Sequence, residues 1–240
     1  MTTNQPAGMP PAEAARLAAI ELETRFTLDS DGRIIGEAPP DLSPGPLLYV
    51  ADLEPRLMAL SHAVPQEVAA GADADSLEAS LLALSAMGPV NAAEGLSFLL
   101  PHRTAAPTAA ELVAWGTAPG SALETRFAEA GMPEALVRAG FREVADLWPP
   151  WCAAMVDGEV AALAFSARLS PIGAELGLVT LPAYRGRGLA AAATAGWSAL
   201  PALADRTLFY STTRSNFASQ RVAAKLGLPF ICATWEIVRA

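Results

Sequence analysis

The sequence predicts an α+β fold, a sheet with helices packed against it, and three observations carry that expectation. From about residue 95 onward, strand-like and helix-like stretches follow one another in the order β-α-α-β-β-β-α-β-α-β. Within that order, the two apolar runs of CAAMVDGEVAALAFSARL (152–169) meet at Asp157-Gly158, a dipeptide suited to the positive φ angles of a tight hairpin turn. Further on, LVTLPAYRGRGLAAAATAGW (178–197) reads as a strand, a glycine-rich turn and a helix. The chain has 240 residues and is 52% hydrophobic, enough for one large domain or two small ones with a buried core.

The elements can be justified in turn. PAEAARLAAIELETRF (11–26) is composed of helix formers, and RFTLDSDGRIIGE (25–37) is a hairpin around Asp31-Gly32. PLLYVAD (46–52) is a strand and DADSLEASLLALSAM (73–87) a helix, with Pro and Gly punctuating the gaps. Residues 1–94 therefore form an additional amino-terminal α/β region, in which no catalytic constellation stands out. The pentapeptide LETRF occurs at 22–26 and again at 123–127, with unmatched flanks.

Residues 95–240 form the second unit. GLSFLLP (95–101) is a strand, and TAAELVAWG (108–116) and MPEALVRAGFREVADLW (132–148) are helical. After the 152–169 hairpin, AELGLVTL (174–181) is a strand leading into the glycine turn, and Gly188 to Leu200 is a helix. RTLFYSTT (206–213) is a strand. NFASQRVAAKL (216–226) is a helix capped by Asn216 or Ser215 and closed by Gly227, and FICATWEIV (230–238) is the last strand.

Composition excludes several function classes. The net charge of −9 argues against a nucleic-acid partner and against an anionic membrane surface. The longest uncharged apolar stretch, Gly188 to Ala204, contains Pro201 and is too short to span a bilayer. MTTNQPAGMPPAEAARL lacks the basic and apolar regions of a secretory leader, so a cytoplasmic location is expected. Cys152 and Cys232 have no partner at metal or redox spacing and are expected as buried thiols. With His62 and His102 the only histidines, neither a histidine-built metal site nor a Ser-His-Asp hydrolase is expected, and G-x-S-x-G is absent. No pattern decides the oligomeric state, and a homodimer is one option.

The charge is unevenly spread. Residues 182–240 hold seven basic side chains against two acidic ones, a net +5, while the other 181 residues hold nine basic and 23 acidic, a net −14. A basic segment around a glycine turn on an acidic protein points to a small polyanion. Two phosphate patterns fit the turn. Gly186-x-Gly188-x-x-Ala191 has the form of a dinucleotide fingerprint, but only 49 residues follow Ala191, too few for the further βα units. The acidic residue expected about 20 positions on is missing as well. A P-loop, G-x-x-x-x-G-K-[ST], is absent.

The second pattern is Arg185-x-x-Gly188-x-Ala190, joined downstream by Asn216-x-x-Ser219 and Ala224-Lys225-Leu226-Gly227. Together these resemble the acetyl-CoA loop, (Q/R)-x-x-G-x-(G/A), and the N-x-x-(A/S)…K-L-G-F segment of the GNAT N-acetyltransferase superfamily, with Leu228 where Phe is usual. AELGLVTLPAYRGRGLA followed by NFAS is most similar to the subgroup related to zwittermicin A resistance acetyltransferases. The resemblance covers 150–240 by motif and 95–150 by element order, and residues 1–94 lie outside it.

The resemblance implies a mixed, mostly antiparallel sheet flanked by helices, and acetyl-CoA as co-substrate in a V-shaped opening between AELGLVTL and RTLFYSTT. Backbone groups of Leu178, Val179 and Thr180 would pair with the pantetheine arm and polarise the thioester carbonyl. Amides of Arg185, Gly186, Arg187, Gly188, Leu189 and Ala190 would hold the pyrophosphate at a helix N-terminus. Asn216 and Ser219 would line the pantetheine side of the later helix, or serve as a cap and a helix surface.

The implied acceptor is the amine of a small molecule, which must lose a proton before it attacks. Glu175, the only acid between Glu159 and Asp205, is the candidate base, and the alternative is a surface charge at a strand start. Trp148, Trp151, Phe165 and Trp235 are acceptor-pocket or core residues. Where many relatives carry a Tyr, seven residues after the motif Asn, this chain has Ala223. Tyr210 is expected to be packing, with water or a hydroxyl such as Ser211 serving the departing thiolate. The competing expectation is a CoA-binding regulatory or interaction module without catalysis.

Overall fold

The computed structural model describes residues 9–106 and 109–240. The first residues of the stretch read for a leader, and Thr108 of TAAELVAWG, lie outside them. In chain order the elements begin with α1 (Pro11–Arg25), which leads directly into β1 (Phe26–Leu28), followed by β2 (Ile34–Glu37), β3 (Leu48–Asp52) and β4 (Leu57–Leu60). Then come α2 (Gln66–Ala69), α3 (Leu77–Leu84), β5 (Val90–Leu99), β6 (Glu111–Ala114), α4 (Ala118–Ala130) and α5 (Glu134–Arg138). The carboxy-terminal part holds β7 (Cys152–Val156), β8 (Glu159–Leu169), β9 (Gly173–Thr180), α6 (Leu189–Ser198), β10 (Thr207–Thr213), α7 (Phe217–Leu226) and β11 (Phe230–Arg239).

Nine strands form one sheet in the order β4-β3-β11-β5-β10-β9-β8-β7-β6, and β1 pairs with β2 in a separate hairpin. Within the large sheet β9 and β10 run parallel and every other adjacent pair is antiparallel. The fold is α+β, with a mixed and mostly antiparallel sheet flanked by helices. The boundary read at residue 94 falls inside β5, and β3, β4 and β5 share the sheet with the strands that follow.

Local chemistry explains most of the elements. α1 buries Ala14, Leu17, Ala18, Glu21 and Leu22, the i, i+3, i+4, i+7, i+8 stripe of a helix lying on a core. The β7–β8 turn places Asp157 at φ 52 and Gly158 at φ 79, the double positive φ of a type I′ hairpin. In the β1–β2 hairpin, the Asp29 carboxylate accepts from the amides of Asp31 and Arg33 and replaces backbone partners in the turn. Ser76 and Thr117 cap α3 and α4 by accepting from Ala79 N and Gly120 N.

One element differs from expectation. TAAELVAWG does not form a helix: Glu111–Ala114 is an edge strand paired with Met155–Cys152 of β7. Val113 is buried on one side of it, and Leu112 lies against Gly196 of α6 on the other. Pairing with β7 and the burial of Val113 outweigh the helix preference of Ala, Glu and Leu. The helix of this region is α4 instead. In 132–148 the helical stretch breaks into α5 and a 3-10 turn at Val144–Leu147.

The core lies in two layers. α6 and α7 pack on one face over Cys152, Ala154, Ala164, Leu176, Leu208 and Tyr210, with α3 beside them on Leu48, Val50 and Ile237. α1, α4 and α5 pack on the other face, α1 over Tyr49, Phe209 and Cys232, and α4 and α5 over Ala153, Met155 and Leu163. Cys152 and Cys232 are free and buried, and burial pushes both thiols up to about 12. The alanine-rich stretch after Gly188 is α6, and among the described residues no helix is long and apolar enough to cross a membrane.

Candidate active site

The site begins with a break in strand pairing. β9 and β10 pair only over Gly173–Glu175 and Thr207–Phe209, although β9 continues to Thr180 and β10 to Thr213. Beyond that point β9 stays paired with β8 up to Thr180, and β10 stays paired with β5 up to Thr213. The two halves of the sheet therefore splay apart, and a V opens between two parallel strands with its apex just past Glu175 and Phe209.

On the α6–α7 face, the V widens into a cleft of about 610 Å³. Leu178, Val179 and Thr180 form one wall, Arg185, Gly186, Gly188, Leu189 and Ala190 the mouth above α6, and Asn216 and Ser219 the α7 side. Every residue marked in the sequence for the cofactor borders this one cleft, except Arg187. The Arg187 guanidinium instead lies 5.7 Å over the ring of Tyr184, which itself lines the cleft.

The loop geometry follows from its glycines. A 3-10 turn at Pro182–Tyr184 ends β9, and Gly186 and Gly188 then take φ 78 and φ 81, a left-handed conformation costly for residues with a Cβ. Gly188 is the N-cap of α6. The chain thus turns sharply enough to aim the first-turn N–H groups of α6, which have no intrahelical acceptor, toward the cleft. Arg185 Nε donates to the Thr180 carbonyl at 3.4 Å and ties the loop back to the strand.

On the α7 side, Asn216 is the N-cap, its Oδ1 accepting from Ser219 N at 3.1 Å. The same residue both caps the helix and borders the cleft. Tyr210 belongs to the core beneath α7; its hydroxyl is 2.6 Å from Ser219 Oγ and donates to the Ser219 carbonyl at 3.1 Å. Burial raises its phenol above the ordinary range.

Glu175 does not border the cleft. Its neighbours Ala174 and Leu176 pack toward α6, so its side chain emerges on the opposite face, at the apex of the V. It is 7% exposed, which rules out the surface-charge alternative. Ser211 Oγ donates to Glu175 Oε1, and Arg25 Nε lies 3.7 Å from the same oxygen. Arg25 is in the last turn of α1, and its other nitrogen is paired with Glu236 Oε1 at 2.7 Å. One turn earlier, Glu21 is fully buried and accepts from Ser97 Oγ. Burial pushes the Glu21 carboxyl up to about 7, with Arg25 and Ser97 opposing the rise.

Two of the aromatic candidates share this face. Phe165 lies directly against Gly177, where a Cβ would collide with its ring, and packs edge-on to Trp148 at 5.9 Å and Phe141 at 5.4 Å. Trp151 is core, its Nε1 donating to Glu124 Oε1, and Trp235 turns to the α3 face.

No family model and no curated protein matches the chain. Solved structures do resemble it. A GNAT-family acetyltransferase from Colwellia psychrerythraea aligns over 96% of this chain and 98% of its own, at 15% identity and TM-score 0.43. A GCN5-related N-acetyltransferase-like protein from Streptococcus suis aligns over 95% and 100%, at 16% identity and TM-score 0.45. A GCN5-related N-acetyltransferase from Sphaerobacter thermophilus aligns over 66% of this chain and 55% of its own, at 16% identity and TM-score 0.41.

Some site residues were less visible in the sequence. Ala218, Arg221, Val222 and Lys225 also border the cleft, one face of α7 at i, i+3, i+4 and i+7. Arg221 and Lys225 belong to the basic segment, and their i, i+4 spacing within the predicted helix was the available signal. Arg25 had none, because only the fold brings α1 to the apex of the V.

Proposed function

We propose that this protein is a GNAT-type N-acetyltransferase that moves an acetyl group from acetyl-CoA to the amine of a small molecule by direct attack in a ternary complex. The observation that carries this is the V between β9 and β10, with the glycine loop and the N-terminus of α6 at one side and α7 at the other. The cleft suits an extended ligand that is apolar along its arm and anionic at its end. Leu178, Val179, Ala190 and Val222 offer apolar surface, and the α6 amides with Arg185, Arg221 and Lys225 offer donors and positive charge. Acetyl-CoA would supply an acetyl group activated as a thioester.

The chain's own residues divide the work between the two faces of the sheet. Those backbone groups of Leu178–Thr180 that face the V and do not pair with β8 offer hydrogen-bond donors for a developing oxyanion, fixed before the reaction. Glu175 at the apex is the base that takes the amine proton. Phe165 and Trp148 offer an apolar wall on the acceptor side, and the acidic net charge favours a cationic amine. The likeness to the zwittermicin A resistance subgroup rests on AELGLVTLPAYRGRGLA and NFAS alone.

A second reading, a CoA-binding module without catalysis, draws on Ala223 standing where many relatives carry Tyr. Steady-state release of CoA thiol, measured with a panel of small amines, separates the two. Release that depends on one class of amine supports the transferase. Tight acetyl-CoA binding with no release for any amine supports the module.

A further inference from the structure

We infer that Arg25 of the amino-terminal helix is a positioning residue for Glu175, so that the segment before residue 94 completes the catalytic centre; this rests on Glu175 being the base. Three observations converge. Ser211 Oγ donates to Oε1 of Glu175, and the nearest approach of Arg25 to this carboxylate, Nε at 3.7 Å, is to the same oxygen. A carboxylate hydrogen-bonded through one oxygen, with a cation beside that oxygen, is oriented and keeps its charge, and Oε2 is then the oxygen that takes the amine proton. Arg25 is itself fixed: its second nitrogen pairs with Glu236 Oε1 at 2.7 Å, and its guanidinium lies 5.0 Å over the Phe26 ring and 5.4 Å over the Tyr49 ring. A planar fork stacked on aromatics and bridging two carboxylates is a role for arginine that lysine fills only in charge.

The network has more parts than a structural ion pair needs. Glu21, one turn before Arg25, is buried with Oε1 unpartnered, and Arg25 Nε and the Tyr49 hydroxyl are likewise without hydrogen-bond partners. Such groups are costly to bury. They are gathered where α1 crosses β9 and β11, the strands that carry Glu175 and Glu236. Glu21, Glu175, Glu236, Tyr49 and Cys232 surround Arg25, and beyond them Glu37, paired with Arg168, also feels Arg25 and Glu236.

The test is a double-mutant cycle on the full chain. Arg25→Met is made in the native background and in Glu175→Gln, with Arg25→Lys as the conservative variant. Arg25→Met/Glu236→Gln serves as a version that leaves no buried unpaired carboxylate at 236. Turnover is expressed per folded molecule, and acetyl-CoA affinity is measured in parallel. Expected is a fall in kcat on the order of 10- to 100-fold for Arg25→Met and for its Glu236→Gln partner variant, with KM for acetyl-CoA unchanged. Arg25→Lys should recover part of the loss, and Arg25→Met should cost nothing further once Glu175 is Gln. Native kcat in both Arg25→Met variants, or losses that simply multiply with Glu175→Gln, would overturn the assignment while leaving Glu175 as the base. Native turnover in Glu175→Gln alone would overturn the underlying reading and this assignment with it.

Discussion

At Glu175 a single carboxylate meets a hydroxyl from the neighbouring strand and a guanidinium from the amino-terminal helix, and both settle on one oxygen. That arrangement gives the base assignment a sharp test. Glu175→Gln keeps the shape and removes the proton acceptor, so turnover at neutral pH should fall on the order of 10²–10⁴-fold, with acetyl-CoA affinity nearly unchanged by calorimetry. A loss below about tenfold would leave Glu175 as packing. The leaving thiol asks less of the protein, since a thiol with a reference pKa near 8.5 departs readily without an acid. Tyr210 sits in the core with its hydroxyl engaged by Ser219. Tyr210→Phe should therefore keep turnover within about tenfold, below the usual contribution of a general acid. A fall of about 10³-fold, with the alkaline limb of the pH–rate profile lost and CoA binding intact, would make Tyr210 the acid.

Among the elements, the loop before α6 was the most legible in the sequence. Arg185, Gly188 and Ala190 are local, and their spacing relative to a strand and a helix needs no tertiary information. Asp157-Gly158, Asn216 and Gly227 were legible for the same reason, because turn and cap chemistry is written in the residues themselves. TAAELVAWG was misread because its strand exists only by pairing with β7. β4 carries no alternation that marks it and forms at the sheet edge by pairing with β3. The separation at 94 was drawn where the element order becomes regular and the resemblance begins, and neither shows that β11 slots between β3 and β5. For the loop, Gly188 at φ 81 adds a backbone requirement to the need for close ligand approach. Gly188→Val should lose CoA binding and also some stability, because a branched residue resists that conformation. Gly188→Asn, which tolerates positive φ, should stay folded and still lose CoA binding. Native CoA affinity in the folded Asn variant, measured by calorimetry, would place the pyrophosphate elsewhere.

Across the whole molecule, α1 and the sheet enclose charge that the rest of the core avoids, and this should show in stability against pH. Glu21 titrates near 7 in the fold against an ordinary value of 4.5, so between those values the folded state binds more protons than the unfolded one. Its contribution is present in full below about pH 4.5 and is lost as pH rises through about 7, roughly 3 kcal/mol in all. In urea unfolding at pH 5 and pH 8, Glu21→Gln should gain stability relative to the native chain at the higher pH, and parallel curves would contradict the burial assigned to Glu21. Thermal unfolding with and without acetyl-CoA shows whether the V-shaped cleft takes this ligand, with NAD as the control for the dinucleotide pattern in the same glycines. Acetyl-CoA present at ~100 times its Kd should stabilise the fold by roughly 2.7 kcal/mol, NAD should do nothing, and Gly188→Asn should abolish the response. No shift with acetyl-CoA or CoA, or a shift with NAD, would contradict the account.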